Sequence, residues 1–192
     1  MNKTIKVIGF SIFTVAFIII TTLVPACSGP DKLPIEYGKF ESGNYTNDYF
    51  GFTITVPEAW TVQHDLIDIE GSMLLLKCTK DNGYLGIGAE KIPPQARLDT
   101  GKDIHEDTMQ LMQADSYIEG YNVSFPTEIY KDTIIDMEFY VLEFDITYND
   151  YYIQGKQYAT IIGDYDFIIN LMWSSEEYLP LLDSILDTLT FN

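Results

Sequence analysis

The stretch "YTNDYFGFTITVPEAWTV", residues 45–62, alternates with a period of two. Phe52, Ile54 and Val56 fall on one side and Thr53 and Thr55 on the other, the pattern of a strand with one buried face. Gly51 permits the turn that precedes it, because a residue without Cβ adopts positive φ freely. Pro57 stops it, because proline has no N–H for a sheet ladder. Trp60 then offers a large apolar anchor. The rest of the chain decides how such a strand finds its neighbours.

Downstream, "SMLLLKCTKDNGYLGIGAEKI" is two apolar runs around Asp81-Asn82-Gly83, and Asn-Gly is a strong hairpin signal because both residues tolerate positive φ. Four further segments, "NVSFPTEIY", "IIDMEFYVLEFDITY", "YYIQGKQYATIIG" and "YDFIINLMW", are dense in Ile, Val, Phe and Tyr. Short turns such as "KD", "ND" and "GDYD" join them, and short connections mean antiparallel pairing. Two stretches carry helical spacing instead. Residues 99–115 place Ile104, Thr108, Leu111 and Met112 on one stripe, and residues 175–189 place Tyr178, Leu182, Ile185, Leu186 and Leu189 on another. Ser174 to Glu177 matches a capping box, with Trp173 and Tyr178 placed for a hydrophobic staple. Pro180 lacks an N–H, so it belongs in a first turn, and the helix begins in earnest after the capping box. The expectation is an α+β domain over residues 45–192, with an antiparallel β-sheet of about six strands flanked by helices. A unit of that size buries about 70% of its unfolded surface.

Upstream, residues 1–6 carry Lys3 and Lys6 and no acid, and residues 7–26 carry no charge. A basic start, an apolar run and a small residue before a boundary make an export signal. Three readings compete there, and Cys27 separates them. In the first, "LVPAC" is a lipobox: the signal is cut before Cys27, whose thiol carries a diacylglycerol with acyl chains such as palmitate. In the second, "VPA" is an ordinary cleavage site and the product is freely secreted. In the third, the run of about 20 residues stays as a membrane span. Ala26 suits the first, whereas Pro25 stands where the pattern usually has a small residue and Leu23 lies one place too far from the cysteine. Cysteine arithmetic favours the lipid: only Cys27 and Cys78 are present, and Cys78 lies in an apolar run where a lone cysteine is a small buried hydrophobe. A Cys27–Cys78 disulfide is the rival in a secreted form. Residues 1–26 are thus read as a signal peptide, and residues 27–44 as a lipidated cysteine with a Gly-, Pro- and Ser-rich tether. The location is the extracytoplasmic face of a cell membrane, anchored to lipid through Cys27.

The whole chain has 11 basic against 29 acidic residues, net −18, and without Lys3 and Lys6 the count is nine against 29, net −20. Nucleic acid is excluded as a partner, because phosphate neutralisation needs clusters of Lys and Arg. Solubility on a cell exterior accounts for the excess of acid.

At residues 45–62 the chain resembles the PsbP-like family, which includes an extrinsic photosystem II subunit and many small bacterial lipoproteins. Tyr45, Asn47, Gly51, Phe52, Ile54, Val56, Pro57 and Trp60 carry the resemblance, with Ala59 where the family often has Gly. The closing "LPLLDSILDTLTF" is similar to the family's last helix. The resemblance implies an α/β/α sandwich and a binding, assembly or scaffold role, and it carries over no catalytic residue.

The residues themselves point to no reaction. His64 and His105 have no nucleophile elbow near them, and both read as solvated surface side chains, with no spacing for a zinc site. Acids cluster at Asp65, Asp68 and Glu70, at Asp103, Glu106 and Asp107, at Asp145 and Asp150, and at Asp164 and Asp166, without an EF-hand pattern. With so many acids, pairs arise by coincidence. No catalytic residue, metal ligand set or cofactor is assigned. Tyr148, Tyr151, Tyr152 and Tyr158 gather around one hairpin and are the candidate ligand-binding residues, because tyrosine joins a flat contact to a polar tip. Three functions follow from this: a non-enzymatic binding or scaffold lipoprotein with an envelope protein partner, a module for a cation or small polar ligand, and a hydrolase using acidic residues.

Overall fold

The computed structural model describes residues 38–67, 72–94, 96, 98–114 and 118–192. The lipobox readings, Cys27, and Asp68 and Glu70 of the first acid cluster lie outside the described residues.

The opening stretch folds as its alternation requires. β1 (Lys39–Glu41), β2 (Asn44–Asn47) and β3 (Phe52–Thr55) pair antiparallel, and β12 (Thr190–Phe191) closes this small sheet against β3. Phe52 and Ile54 are fully buried, and Val56 and Trp60 nearly so. Gly51 has φ +65°.

The second sheet is larger. It runs β4 (Thr61–Ile67), β5 (Met73–Lys80), β6 (Gly83–Lys91), β11 (Tyr165–Trp173), β10 (Tyr151–Ile162), β9 (Met137–Tyr148), β7 (Tyr121–Ser124), and β8 (Tyr130–Ile134) pairs the other half of β9. All pairings are antiparallel. The described residues therefore hold twelve strands in two sheets, more than the six expected. The extra strands are too short to show a period, except β4, whose "TVQHDLI" is largely polar because it forms a sheet edge.

Two turns differ from the expectation. Asp81 (φ +46°) and Asn82 form the β5–β6 turn, and Gly83 already pairs with Lys80 as the first residue of β6. The "KD" pair, Lys131 and Asp132, lies inside β8. The turn there is Ile135–Asp136, with φ +40° and +66°, a left-handed pair that hairpin twist selects and an Ile-Asp sequence disguises. The "ND" turn stands as read, with Asn149 at φ +53° and Tyr148 paired to Tyr151.

Helix α1 (Gly101–Ala114) packs on β9 and β10, on one face of the large sheet. Helix α2 (Leu179–Leu186) packs with the small sheet on the other face. The capping box of Ser174 does not form: a 3₁₀ turn occupies Glu176–Tyr178, its N-cap Ser175 makes no capping bond, and Pro180 sits in the first turn of α2. Tyr178, Leu182, Ile185, Leu186 and Leu189 are buried, as their spacing requires. The main core lies between the sheets, with Phe139, Val141, Tyr158, Phe167, Ile169 and Leu171 among its members. Each such side chain contributes about 1.5–3 kcal/mol by burial. Cys78 is fully buried in that core as a free thiol, and burial pushes it up to about 12.

Candidate ligand pocket beneath the first helix

The start of α1 is built by its own residues. The Asp103 carboxylate accepts from the Thr100 N–H at 2.8 Å, the Thr100 hydroxyl at 3.0 Å and the Asp99 N–H at 3.0 Å. These bonds, the Thr100 hydroxyl's foremost, hold the Asp103 carboxyl below the usual range. One residue on, Gly101 lies against the Ala159 carbonyl, so close that a Cβ has no room. Helix and strand meet there backbone to backbone.

His105 is a correction to the sequence reading. It is fully buried, not solvated. The helical step aligns Gly101, His105, Thr108 and Met112 on the packed face, and Leu111 is only half-buried. The His105 Nε2–H donates to the Tyr140 carbonyl at 2.8 Å, and Nδ1 lies 3.1 Å from the Gln157 side-chain amide. Gln157 in turn meets Asn170 at 2.7 Å. The amides supply the polar partners that a buried imidazole needs. Burial pushes the His105 pKa down, against the upward pull of its two bonds. His64 keeps a side chain 40% exposed, with Nδ1 2.6 Å from Asp65 Oδ2. The other Asp65 oxygen accepts from the Tyr45 hydroxyl at 2.8 Å and the Gly38 N–H at 3.0 Å.

Beside α1 the sheet is left open. A cavity of ≈ 580 Å³ lies between α1, the segment after β6 and the adjoining ends of β6 and β11. Its apolar lining includes Ile92, Leu98, Ile104 and Ile168. Five carboxylates border it, Glu90, Asp103, Glu106, Asp107 and Asp166, with Lys91 the one base among its described lining residues. Glu90 and Asp166 are cross-strand partners. The Glu90 N–H donates to Asp166 Oδ1 at 2.8 Å, and the Ser72 hydroxyl donates to Glu90 Oε2 at 2.9 Å. Burial first, and the neighbouring Glu90 charge second, push the Asp166 carboxyl up to about 7, against the Glu90 N–H bond. Asp166 thus holds its proton to higher pH than an ordinary carboxyl.

Members of two of the acid clusters seen in the sequence share this lining: Asp103, Glu106 and Asp107 from one and Asp166, without Asp164, from the other. Glu90 was not singled out, and only the β6–β11 register, Glu90 opposite Asp166, identifies it. The tyrosines divide. Tyr148 and Tyr151 are cross-strand partners, with Tyr121 of β7 added on the same row. Tyr152 turns to the opposite face, and Tyr158 is buried in the main core at 3% exposure. Among the described residues no group of three His, Cys, Asp or Glu side chains is placed to hold a metal ion.

A large antiparallel sheet with a helix on one face and a second helix beside a small sheet on the other is the PsbP-like fold. The chain is similar to the solution structure of cyanobacterial PsbP from Synechocystis sp. PCC 6803, with a TM-score of 0.58 at 13% identity, over 88% of this chain and 99% of that one. Two more distant structures are a protein from Bacteroides thetaiotaomicron VPI-5482 (TM-score 0.43, 15% identity, 74% of this chain and 45% of that one) and a Pseudomonas aeruginosa protein of unknown function (0.40, 11%, 73% and 91%). No protein-family model matches the chain, and no curated protein is significantly similar to it.

Proposed function

We propose that this chain is a lipoprotein anchored through Cys27 to the outer face of a bacterial membrane, and that its PsbP-like domain is a non-enzymatic binding module for a small polar cation. The observation that carries the ligand class is the cavity beside α1, where carboxylates border an apolar lining. Such a site suits an organic amine: the carboxylates meet its charge and the apolar wall its carbon chain. The excess of 29 acids over 11 bases draws cations towards it. A second reading, docking of an envelope protein, draws support from the row of Tyr121, Tyr148 and Tyr151, whose last member is 39% exposed.

Spermidine is a suitable probe on the full chain in detergent. At about 100 times its dissociation constant it adds about 2.7 kcal/mol to stability, a rise of several degrees in melting temperature. Asp166→Asn and Glu90→Gln are expected to abolish that rise. No rise with spermidine or with divalent cations removes the cavity reading and leaves protein docking.

A further inference from the structure

Resting on the cavity as a binding site, we propose that His105 is a proton-operated latch: uncharged, it holds α1 on the sheet and keeps the cavity wall in place, and charged, it loosens α1 and releases the occupant.

The argument begins with the row from α1 to β11. A primary amide is a donor at one end and an acceptor at the other, so the row has two polarities. With the Gln157 oxygen toward Nδ1 and its nitrogen toward the Asn170 oxygen, Nδ1 must carry a proton. Nε2–H already donates to the Tyr140 carbonyl, so the ring is then a cation. With both amides turned end for end, Asn170 donates to Gln157, Gln157 to Nδ1, and the ring is neutral. Each link is satisfied either way. Proton uptake therefore changes the charge beneath α1 without breaking a hydrogen bond.

The surroundings decide what that charge costs. From β9 the ring meets a carbonyl, from β10 Gln157, and from β11 Asn170 by way of Gln157, all uncharged. Asp166, four residues from Asn170 on that face of β11, faces the cavity and the Glu90 N–H. From β6, the Tyr84 hydroxyl lies over Gly86, the partner of Asn170. From β8, Lys131 sits 5.0 Å over the Tyr140 ring, 2.6 Å from Glu138. On α1 itself Asp103, Glu106 and Asp107 line the cavity. None of these carboxylates bonds the ring. A buried cation so placed is costly, and undocking α1 relieves it. Because Ile104 and Thr108 flank His105 and line the cavity, undocking opens the cavity.

The test follows amide exchange of α1 in the full chain, corrected for intrinsic rates, from about pH 7.5 to about pH 5, with the His105 imidazole resonance recorded alongside. Protection of α1 is expected to fall about tenfold relative to β5 and β6, in step with the His105 resonance. His105→Gln, which keeps a side-chain donor without the titration, is expected to hold α1 protection constant. A titrating His105 with unchanged α1 protection in the wild-type chain overturns the latch, even if the variant fails to fold. So does a fall that persists in His105→Gln. Spermidine affinity separates the two readings: release of α1 without any spermidine binding keeps the latch and removes the ligand class. Binding whose pH dependence vanishes in Asp166→Asn, with α1 protection constant, keeps the ligand and removes the latch.

Discussion

At the scale of single residues, two titrating groups, the buried His105 and the half-buried Asp166, pull stability in opposite directions with pH. Asp166 has its folded pKa raised to about 7, against about 3.9 when unfolded, so the folded state holds its proton more tightly. Its stabilisation is complete below about pH 3.9 and is lost as pH rises towards 7. His105 is lowered, so its contribution is complete above about pH 6.5 and is lost as pH falls towards the folded value. Asp166→Asn keeps an acceptor for the Glu90 N–H and carries no charge. The expected result is a variant more stable than wild type by a few kcal/mol at about pH 8, with the gap closing by about pH 4, since each unit of displacement is worth about 1.4 kcal/mol. Urea denaturation across that range checks it. The sequence disclosed little at this scale. His105 is followed in sequence by Glu106 and Asp107, while its neighbours in space are Tyr140 and Gln157, some 35 and 52 residues away.

At the scale of elements, the periodic segments are where the reading and the structure agree. The stripes of both helices, the alternation of β3 and the "ND" hairpin were legible because side-chain direction follows from local backbone geometry. Boundaries were not, because packing decides them: Ser174 starts no α-helix, and the β8–β9 turn falls on Ile135–Asp136. Docking of α1 depends on one small residue. Gly101→Ala sets a methyl against the Ala159 carbonyl, a backbone atom with little freedom to yield. A loss of about 1–3 kcal/mol is expected, read as a lower urea midpoint at unchanged slope. Lys102→Ala, on the exposed side and in an i,i+4 pair with Glu106, is expected to cost under about 0.5 kcal/mol.

At the scale of the whole molecule, attachment and ligand are separate questions. If Cys27 carries lipid, Cys27→Ala produces a chain that incorporates no labelled palmitate and leaves the membrane fraction, while the folded domain melts at the wild-type temperature, since Cys27 precedes every described strand. Retention of label would remove the lipobox reading. By itself the sequence determined the α+β class, the antiparallel pairing, the two helical stripes and the burial of Trp60 and Cys78. These depend on spacing and polarity over a few residues, which a linear reading contains. Only the tertiary structure decided that twelve strands form two sheets, that His105 is interior, that Tyr158 leaves the tyrosine cluster, and that Glu90 stands opposite Asp166 beside a cavity. Each of these depends on which strand lies beside which, set by the sum of many weak apolar contacts between residues far apart in the chain.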